Sequence, residues 1–400
     1  MIGVLVGDCL GKNFEGISNP NMSHLIHVLD KLENCKFEYT DDTALTKAVC
    51  TSLIKSKALD VANMAESLVT VFEREPWRGY ASGAVFLFQS LIFIKTKNNF
   101  EEEAFIPALN LFEGTGSFGN GSGMRIGPIA LYTIKKSVEE MVVASVLATC
   151  LTHTNYLGII GALLQCYAIR TALHSDAEKF SEDPFLFSIQ FFDATINFIE
   201  NVEENLINML QTSLENPTRI FVSNVDHHLN LFIKNLNKQI KSEDFSVTKN
   251  AYSNKLKNLK TLLIDCQQNG KEISNKEFHQ LYAKCNVTAL ESIPVAIFSF
   301  LIAINPNCEH IINSRLKTEN SFKKYSNFER VILYSISLGG DTDTIASMAG
   351  AIYGGFSNEK NSPFFENIIK SCESSVEMKN HAENLCQIFC SPEYVQETQV

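Results

Sequence analysis

Two acidic clusters, about 300 residues apart, carry the same combination of side chains. The first cluster, at residues 39–43, contains Thr40, Asp41 and Asp42. The second, at residues 339–344, contains Asp341, Asp343 and Thr344. Four carboxylates in one pocket would repel one another unless they were protonated or neutralised, and two divalent cations would cancel their formal charge. Oxygen ligands from Asp and Thr suit hard cations such as Mg²⁺ rather than Zn²⁺. We therefore interpret the clusters as two halves of one metal site.

Each acidic cluster precedes an apolar stretch with helical spacing, at residues 44–54 and 345–352. The carboxylates are therefore expected at helix N-termini, where Asp and Thr are favoured caps and negative charge interacts well with the helix dipole. Capping alone would explain either cluster taken singly. The presence of two such clusters, both made of hard oxygen donors, favours a metal site.

A glycine-rich loop at residues 114–125 is the third candidate element. Glycines allow backbone N–H groups to point at phosphate oxygens, which predicts an anion-binding loop. Gly114, Gly116 and Gly119 match the dinucleotide-binding pattern, but that pattern requires a preceding strand. Because residues 104–112 predict a helix or irregular chain, we reject the dinucleotide fold. A plain connecting loop is the alternative.

Two single residues near this loop could contact a nucleotide. Phe112 precedes the loop and could stack on a base, although phenylalanine is more commonly a core residue. His153 precedes an almost wholly apolar stretch at residues 156–173 and could contact a phosphate or a ribose. A structural hydrogen bond is the commoner role of a lone histidine.

Composition restricts the class of protein. The 400-residue chain is 45% hydrophobic and 20% charged, which allows a large core. Its net charge of -11 argues against a broad nucleic-acid-binding surface. The 11 cysteines include no Cys-x-x-Cys pair and predict free thiols in a reducing compartment. The longest strongly apolar stretch, residues 293–304, is shorter than the roughly 20 residues of a membrane span, and the N-terminus lacks a secretory signal.

Helical periodicity dominates the sequence, and no succession of short alternating strands, repeat or heptad array is present. The fold class is therefore predicted to be all-α. Small residues at 345–355 predict a helix in the middle of the bundle. Residues 175–285 are rich in Asn, Lys and Ser, and predict peripheral helices joined by long polar loops. The apolar residues scattered in that region include Phe191, Phe192, Phe232 and Leu263.

Together these residues identify a family. The chain resembles the ADP-ribosylglycohydrolases, and within them the branch of ADP-ribosyl-acceptor hydrolases that acts on ADP-ribosylserine. The matching segments are both acidic clusters, the glycine-rich loop, Glu15, and residues 7–11, 78–83, 151–153, 290–294 and 333–350. The resemblance is poor between residues 173 and 250. It implies a compact orthogonal helical bundle with one domain at 1–370, a divergent extended region at 175–285, and a C-terminal helix and polar tail at 371–400.

The resemblance also implies a role for each site residue. Two Mg²⁺ ions would be held by Glu15, Thr40, Asp41, Asp42, Asp341, Asp343 and Thr344. The diphosphate of ADP-ribose would rest on backbone amides of Thr115, Gly116, Ser117, Phe118, Gly119, Asn120 and Gly121. Substrate would further contact Asp41, His153, Phe112 at the adenine and Val287 in the pocket wall. Glu15 would lie on a mobile loop and position substrate or move a proton, with Asp343 and Asp42 as alternative bases.

The implied reaction is hydrolysis of the O-glycosidic bond between C1″ of ADP-ribose and a serine side chain. Poly(ADP-ribose) and O-acetyl-ADP-ribose share this C1″ oxygen linkage and are expected as further substrates. The expected partners are serine-ADP-ribosylated proteins and ADP-ribose. A monomer is expected in the cytoplasm and nucleus, without direct contact with nucleic acid or membrane, and a mitochondrial location is also compatible. An arginine-linked ADP-ribosyl hydrolase and a non-catalytic ADP-ribose-binding or structural relative are the alternatives.

Two departures from the family pattern lie near the expected ligand. Phe118 stands where the family has tyrosine, so a hydroxyl contact is lost although the ring can still stack. Residues 284–286 replace a glycine-containing turn before Val287. The adenosine end of the pocket is therefore expected to be reshaped.

Overall fold

The computed structural model describes residues 1–30, 36–97, 99–175, 177–215, 225–242, 245–317, 319–356 and 363–390. Within these ranges the chain forms α-helices, two short 3₁₀ helices and no β-strand, so the all-α prediction is confirmed. The predicted polar tail falls on residues 391–400, which lie outside the described residues. The predicted division into domains stays a prediction.

The helices follow one another closely along the chain. The first half of the fold contains α1 (Ile2–Gly11), α2 (Met22–Asp30), α3 (Asp41–Ser56), α4 (Val61–Arg74), α5 (Ser82–Thr96), α6 (Phe100–Glu103), α7 (Ile106–Asn110), α8 (Gly127–Tyr132), α9 (Val138–Cys150), α10 (Tyr156–Leu173), α11 (Ala177–Glu182) and α12 (Pro184–Glu215). The second half contains α13 (Val225–Ile240), α14 (Phe245–Thr248), α15 (Ala251–Asn269), α16 (Asn275–Leu281), α17 (Ala289–Ile304), α18 (Glu309–Leu316), α19 (Ser321–Lys324), α20 (Asn327–Ser337), α21 (Thr342–Phe356), α22 (Pro363–Ser371) and α23 (Ser375–Phe389). The 3₁₀ helices are Lys12–Phe14 and Pro306–Cys308.

The contact between α1 and α21 brings the N-terminal helix to the second acidic cluster. Gly3, Gly7 and Gly11 recur every four residues and therefore share one face of α1. A Cβ atom on any of the three would overlap the backbone of α21, at Gly350, Ala346 and Asp343 respectively. Backbone thus packs directly on backbone. The predicted central position of the small-residue helix is confirmed, because α21 is buried along almost its whole length.

Helix α10 has the bounds that the apolar run at 156–173 predicted. By length and composition alone it is long and apolar enough to cross a membrane, but 72% of it is buried inside the protein. One pair of consecutive segments, Ala289–Ile304 and Pro306–Leu316, is long and apolar enough to cross a membrane only when the two are counted together. The chain bends by 95° between them. Burial of this kind is typical of a core helix.

The described helices at 175–285 pack onto the core rather than standing at its periphery, while residues 216–224, on which a long polar loop was expected to fall, lie outside the described residues. Helix α12 is 32 residues long and packs against α10 and α15. Phe191, Phe192, Phe232 and Leu263 are all buried. The described connections, such as residues 249–250 and 270–274, are short. The region therefore extends the core, because its scattered apolar residues fall on helix faces that pack together.

Candidate metal and ligand site

The two acidic clusters meet where α3 and α21 begin. Asp42 accepts hydrogen bonds from the hydroxyls of Thr344, at 3.2 Å, and Ser347, at 3.0 Å. Thr40 is the N-cap of α3, and its hydroxyl accepts from the Asp42 N–H. The structure therefore brings together the two sets of residues that the sequence proposed as one site, and each set lies at a helix N-terminus as predicted.

The carboxylates form two adjacent groups. Oxygen atoms of Asp8, Asp42 and Asp343 lie within 4.8 Å of one another, and so do those of Glu15, Asp341 and Asp343. Asp343 is common to both groups, and its Oδ1 is buried without a hydrogen-bond partner among the described residues. An unsatisfied buried carboxylate oxygen is costly. Because all donors are carboxylate or hydroxyl oxygens, the residues present fit hard divalent cations.

Asp8 is a site residue to which the sequence assigned no role. It is fully buried in α1 and accepts hydrogen bonds from the Thr40 N–H and hydroxyl, both at 2.9 Å, and from the Thr43 N–H at 3.0 Å. It thereby fixes the first turn of α3 against α1. The sequence does contain a signal for this role. Asp8 is the single charged residue of an otherwise apolar helix, and a charged residue is rarely buried without a specific partner.

Burial raises the pKa of every carboxyl in the two groups and that of Asp41, which precedes Asp42. Loss of hydration is the largest cause for Asp41, and the charges of Asp8 and Asp341 add to it, so that its pKa is raised to about 8. Loss of hydration, followed by neighbouring carboxylates, also raises the pKa of Asp42 and Asp343 well above the ordinary value. Bound cations would favour the ionised carboxylates and lower these pKa values.

Glu15 reaches the site from a turn that is hydrogen-bonded to the second acidic cluster. The Gly16 N–H donates to the Gly340 carbonyl at 2.7 Å, and the Gly340 N–H donates to the Ile17 carbonyl at 3.0 Å. Gly16 and Gly340 both have positive φ, at 77° and 81°, which favours glycine. Burial raises the pKa of Glu15, and Asp341 raises it further. The Glu15 carboxylate lies within 4.8 Å of those of Asp341 and Asp343, and the predicted mobility of its loop stays a prediction.

The glycine-rich loop connects α7 to α8 without a strand, which confirms the rejection of the dinucleotide fold. Some of the amides proposed for the diphosphate already have acceptors within the protein. The N–H groups of Thr115, Gly116, Gly119 and Asn120 donate to Phe112, Leu111, Ser117 and Val287, respectively. Of the loop amides at residues 115–121, those of Ser117, Phe118 and Gly121 have no acceptor among the described residues. The predicted anion-binding surface is therefore narrower than the whole loop.

Asn120 links the glycine-rich loop to the acidic site through its side chain. The Asn120 Nδ2 donates to Asp341 Oδ2 at 2.6 Å and to the Ser292 hydroxyl at 3.0 Å. Its backbone N–H donates to Val287 at 2.9 Å. Asn120 therefore orients a candidate metal ligand, whereas the sequence had predicted a phosphate contact from its amide.

His153 lies beneath the glycine-rich loop in a chain of hydrogen bonds. Arg125 donates to the Gly121 carbonyl at 2.6 Å and to the Thr152 hydroxyl at 2.7 Å, and that hydroxyl lies 2.7 Å from His153 Nδ1. Burial, together with the Arg125 charge, lowers the pKa of His153 to about 3. His153 is therefore neutral at physiological pH and supports the loop from below.

The side chains predicted to contact adenine and to line the pocket are exposed and lie on neighbouring loops. Phe112, Phe118 and Val287 are 52%, 51% and 60% exposed. Phe118 and Val287 flank the antiparallel bridge between Gly119 and Thr288. Exposed aromatic rings can stack on a base, so the exposure of Phe112 and Phe118 suits the predicted contact.

The turn at residues 284–286 keeps a backbone conformation that favours glycine. Cys285 has a φ of 52°, in the left-handed region. Its carbonyl accepts the Asp341 N–H at 2.7 Å. The turn therefore reaches the second acidic cluster, and the expected reshaping of the adenosine end stays a prediction.

Comparison with known proteins agrees with this geometry. Residues 1–388 match the family described as ADP-ribosylglycohydrolase. The ADP-ribosylhydrolase ARH3 of Gallus gallus is 31% identical over 408 residues, covering 98% of this chain and 92% of that protein. The ARH3 of Homo sapiens is 29% identical over 399 residues, covering 97% and 92%. A solved ADP-ribosylglycohydrolase-related protein complex has a TM-score of 0.51 at 14% identity, covering 97% of this chain and 95% of that one, and shows likeness of fold alone.

Proposed function

Because the chain belongs to the ADP-ribosylglycohydrolase family and is a hydrolase that acts on ADP-ribosyl linkages, we propose that it cleaves the O-glycosidic bond between C1″ of ADP-ribose and serine. The observation that carries this proposal is the meeting of Glu15 with Asp341 and Asp343, whose carboxylate oxygens lie within 4.8 Å. A carboxyl with a raised pKa beside a metal-binding cluster suits proton transfer to an oxygen leaving group. Poly(ADP-ribose) and O-acetyl-ADP-ribose carry the same C1″ oxygen and are proposed as further substrates.

We propose two Mg²⁺ ions as cofactors. The two carboxylate groups that share Asp343, together with Asp41 and the hydroxyls of Thr40 and Thr344, would hold them. When bound, the ions would orient the ribose hydroxyls and stabilise charge that develops near C1″.

The residues of the chain would divide the remaining tasks. Glu15 would donate a proton to the serine oxygen as the bond from that oxygen to C1″ breaks. If Glu15 does not act in proton transfer, Asp343 or Asp42 would act as the base toward the attacking water. The free amides of Ser117, Phe118 and Gly121 would bind the diphosphate, which fixes the distance between the adenine and C1″.

A turnover assay with matched peptides tests the linkage. The protein should release ADP-ribose from a serine-modified peptide in the presence of Mg²⁺ and leave an arginine-modified peptide intact. Asp343→Asn should abolish release, whereas Asp265→Asn, on α15, should not, because Asp265 contacts Lys271 and lies in neither carboxylate group. Preference for the arginine peptide would replace the serine proposal with the arginine alternative. Binding of ADP-ribose without any turnover would indicate the non-catalytic alternative.

We further propose that the protein acts as a monomer on ADP-ribosylated proteins in the cytoplasm and nucleus, including during the DNA damage response. The net charge of -11 supports action without direct nucleic-acid contact. Sedimentation of the purified protein and imaging of a fluorescent fusion would test these two points.

A further inference from the structure

Two cysteines from opposite ends of the chain meet near one backbone carbonyl. The Cys9 thiol, close to the end of α1, donates to the Phe37 carbonyl at 3.5 Å, and the Glu373 N–H donates to the same oxygen at 2.9 Å. Phe37 also forms a parallel bridge with Cys372, the residue before Glu373. Three segments of the chain therefore meet at Phe37, and they bring Cys9 beside Cys372.

The side chains of the two cysteines interact directly. Burial, and after it a hydrogen bond with the Cys372 side chain, raise the pKa of the Cys9 thiol well above its usual value. A disulfide requires two Cα atoms within about 7 Å and side chains that point toward each other. Two side chains that are already hydrogen-bonded point toward each other, so the native fold meets the second requirement.

A cavity gives small molecules a route to one of the two thiols. It has a volume of about 540 Å³, and its wall consists of residues 12–13, 36–38 and 370–373, which include Cys372 but not Cys9. Three lysines and two glutamates line it, and one of these glutamates, Glu373, is paired with Arg78 outside the wall. Reactive cysteines lie in electropositive and accessible surroundings, whereas buried ones are ordinarily inert. A small oxidant can therefore reach Cys372 through the cavity, although this side chain is only 4% exposed.

Two other pairs of cysteines allow contact and access to be separated. Cys266 adds to the burial that raises the pKa of Cys308 to about 12, so these two thiols are neighbours, but both are buried and neither lines the cavity. Cys386 and Cys390 lie about one turn apart at the end of α23, where Cys386 is exposed. The first pair has contact without the cavity, and the second has direct access from solvent.

We propose that Cys372 and Cys9 form a reversible oxidation site for a small hydroperoxide. In the first step the Cys372 sulfur attacks the peroxide and the O–O bond breaks. One oxygen stays on Cys372 as a sulfenic acid, and the other takes the thiol proton and leaves as an alcohol or as water. In the second step the Cys9 sulfur attacks the Cys372 sulfur, the S–O bond breaks, and the Cys9 thiol proton leaves with the hydroxyl group as water. The two thiols supply the two electrons that reduce the peroxide, and the disulfide cross-links α1 to the segment between α22 and α23.

Peptide mapping of the native, full-length protein after brief exposure to hydrogen peroxide tests this site. The peptides that contain Cys9 and Cys372 should become linked, and dithiothreitol should release them. The exposed Cys386 should also oxidise, which shows that the peroxide was active, whereas Cys266 and Cys308 should stay reduced. In concentrated urea the native contact is lost, so the selectivity for the Cys9–Cys372 link should disappear.

A reagent that traps sulfenic acids separates the two steps. Dimedone should label Cys372 in Cys9→Ser, because the cavity still admits peroxide and the second thiol is missing. It should not label Cys9 in Cys372→Ser, because Cys9 does not line the cavity. Cys308→Ser is the matched control, since it also removes a buried thiol but should leave the Cys9–Cys372 link unchanged.

The wild type alone can overturn the proposal, so the result does not depend on the folding of a variant. Absence of the Cys9–Cys372 link, or oxidation of Cys372 to sulfinic acid without a link, would refute it. Equal linking of Cys266 with Cys308 would show that the cavity is not the route, and labelling of Cys9 in Cys372→Ser would refute the order of the steps. None of these measurements needs turnover, so they stand apart from the test of ADP-ribosyl hydrolysis.

Discussion

Gly11→Ala tests whether the site depends on direct backbone contact between α1 and α21. Gly11 has ordinary helical φ and ψ, so alanine introduces no backbone strain there. The added Cβ would lie 2.5 Å from the Asp343 nitrogen and 2.7 Å from the Thr342 carbonyl carbon, where ordinary contact begins near 3.4 Å. The two helices would therefore have to separate by about 1 Å.

Two opposing effects set the magnitude. Alanine in place of glycine favours a helix by up to about 1 kcal/mol. Overpacking against backbone, which cannot rotate away, costs about 1–3 kcal/mol or more. Because Gly11 is at a helix end, where the propensity gain is smallest, we expect a net loss of about 2 kcal/mol in the free energy of unfolding and a fall in Tm of roughly 2–3 °C.

Gly354→Ala is the matched control, since Gly354 is exposed on α21 and its Cβ would contact nothing within 4 Å. That variant should raise Tm by roughly 1 °C.

Thermal unfolding with and without Mg²⁺ provides the assay. Mg²⁺ that binds only the native state raises Tm by mass action. Gly11→Ala should reduce this increment, because the added methyl group displaces Asp343, the carboxylate common to both groups. Gly354→Ala should keep the full increment. If both variants stabilise the protein and retain the full Mg²⁺ increment, the tight contact between α1 and α21 does not position the site.

Three further predictions concern single site residues. Chelation of divalent cations should abolish turnover and added Mg²⁺ should restore it, and full turnover in chelator would contradict this. Asp341→Asn should lose both turnover and the rise in Tm that Mg²⁺ causes. Glu15→Gln should bind ADP-ribose normally but turn over roughly a hundredfold more slowly, and a wild-type rate would remove Glu15 from proton transfer and leave Asp343 or Asp42 as the base. His153 has a lowered pKa, so the native state binds fewer protons than the unfolded state between pH about 3 and about 6.5. Stability should therefore fall as pH drops through this window, and His153→Gln should lessen that fall in unfolding curves at pH 5 and pH 7.

Local features of the sequence predicted local structure well. The Thr40 cap, the start of α3 at Asp41 and both ends of α10 follow from capping and hydrophobic periodicity, which act over a few residues. The ten cysteines within the described ranges are free thiols, as their scattered spacing predicted.

Long-range contacts could not be derived in the same way. Thr344 donates to Asp42 across 302 residues, and no spacing rule predicts that approach. Asp8 acquires its role only when α1 lies beside the first turn of α3. The amide of Asn120 is unavailable to phosphate because it donates to Val287, which the sequence places far away. Each of these errors or omissions concerns a hydrogen bond that tertiary packing creates.

The same packing explains how the fold tolerates so many carboxylates in one place. Buried acidic groups with raised pKa values oppose folding at neutral pH, and here loss of hydration is the main cause. Three features offset that opposition: the positive N-terminus of α3 near Asp41 and Asp42, the N–H and hydroxyl donors that Thr40 gives to Asp8, and the backbone contact that holds α1 against α21. None of them satisfies Asp343 Oδ1, which is buried without a partner in the described part of the chain. The fold therefore holds a carboxylate ready for a cation, so that metal affinity and native stability depend on the same helix contacts.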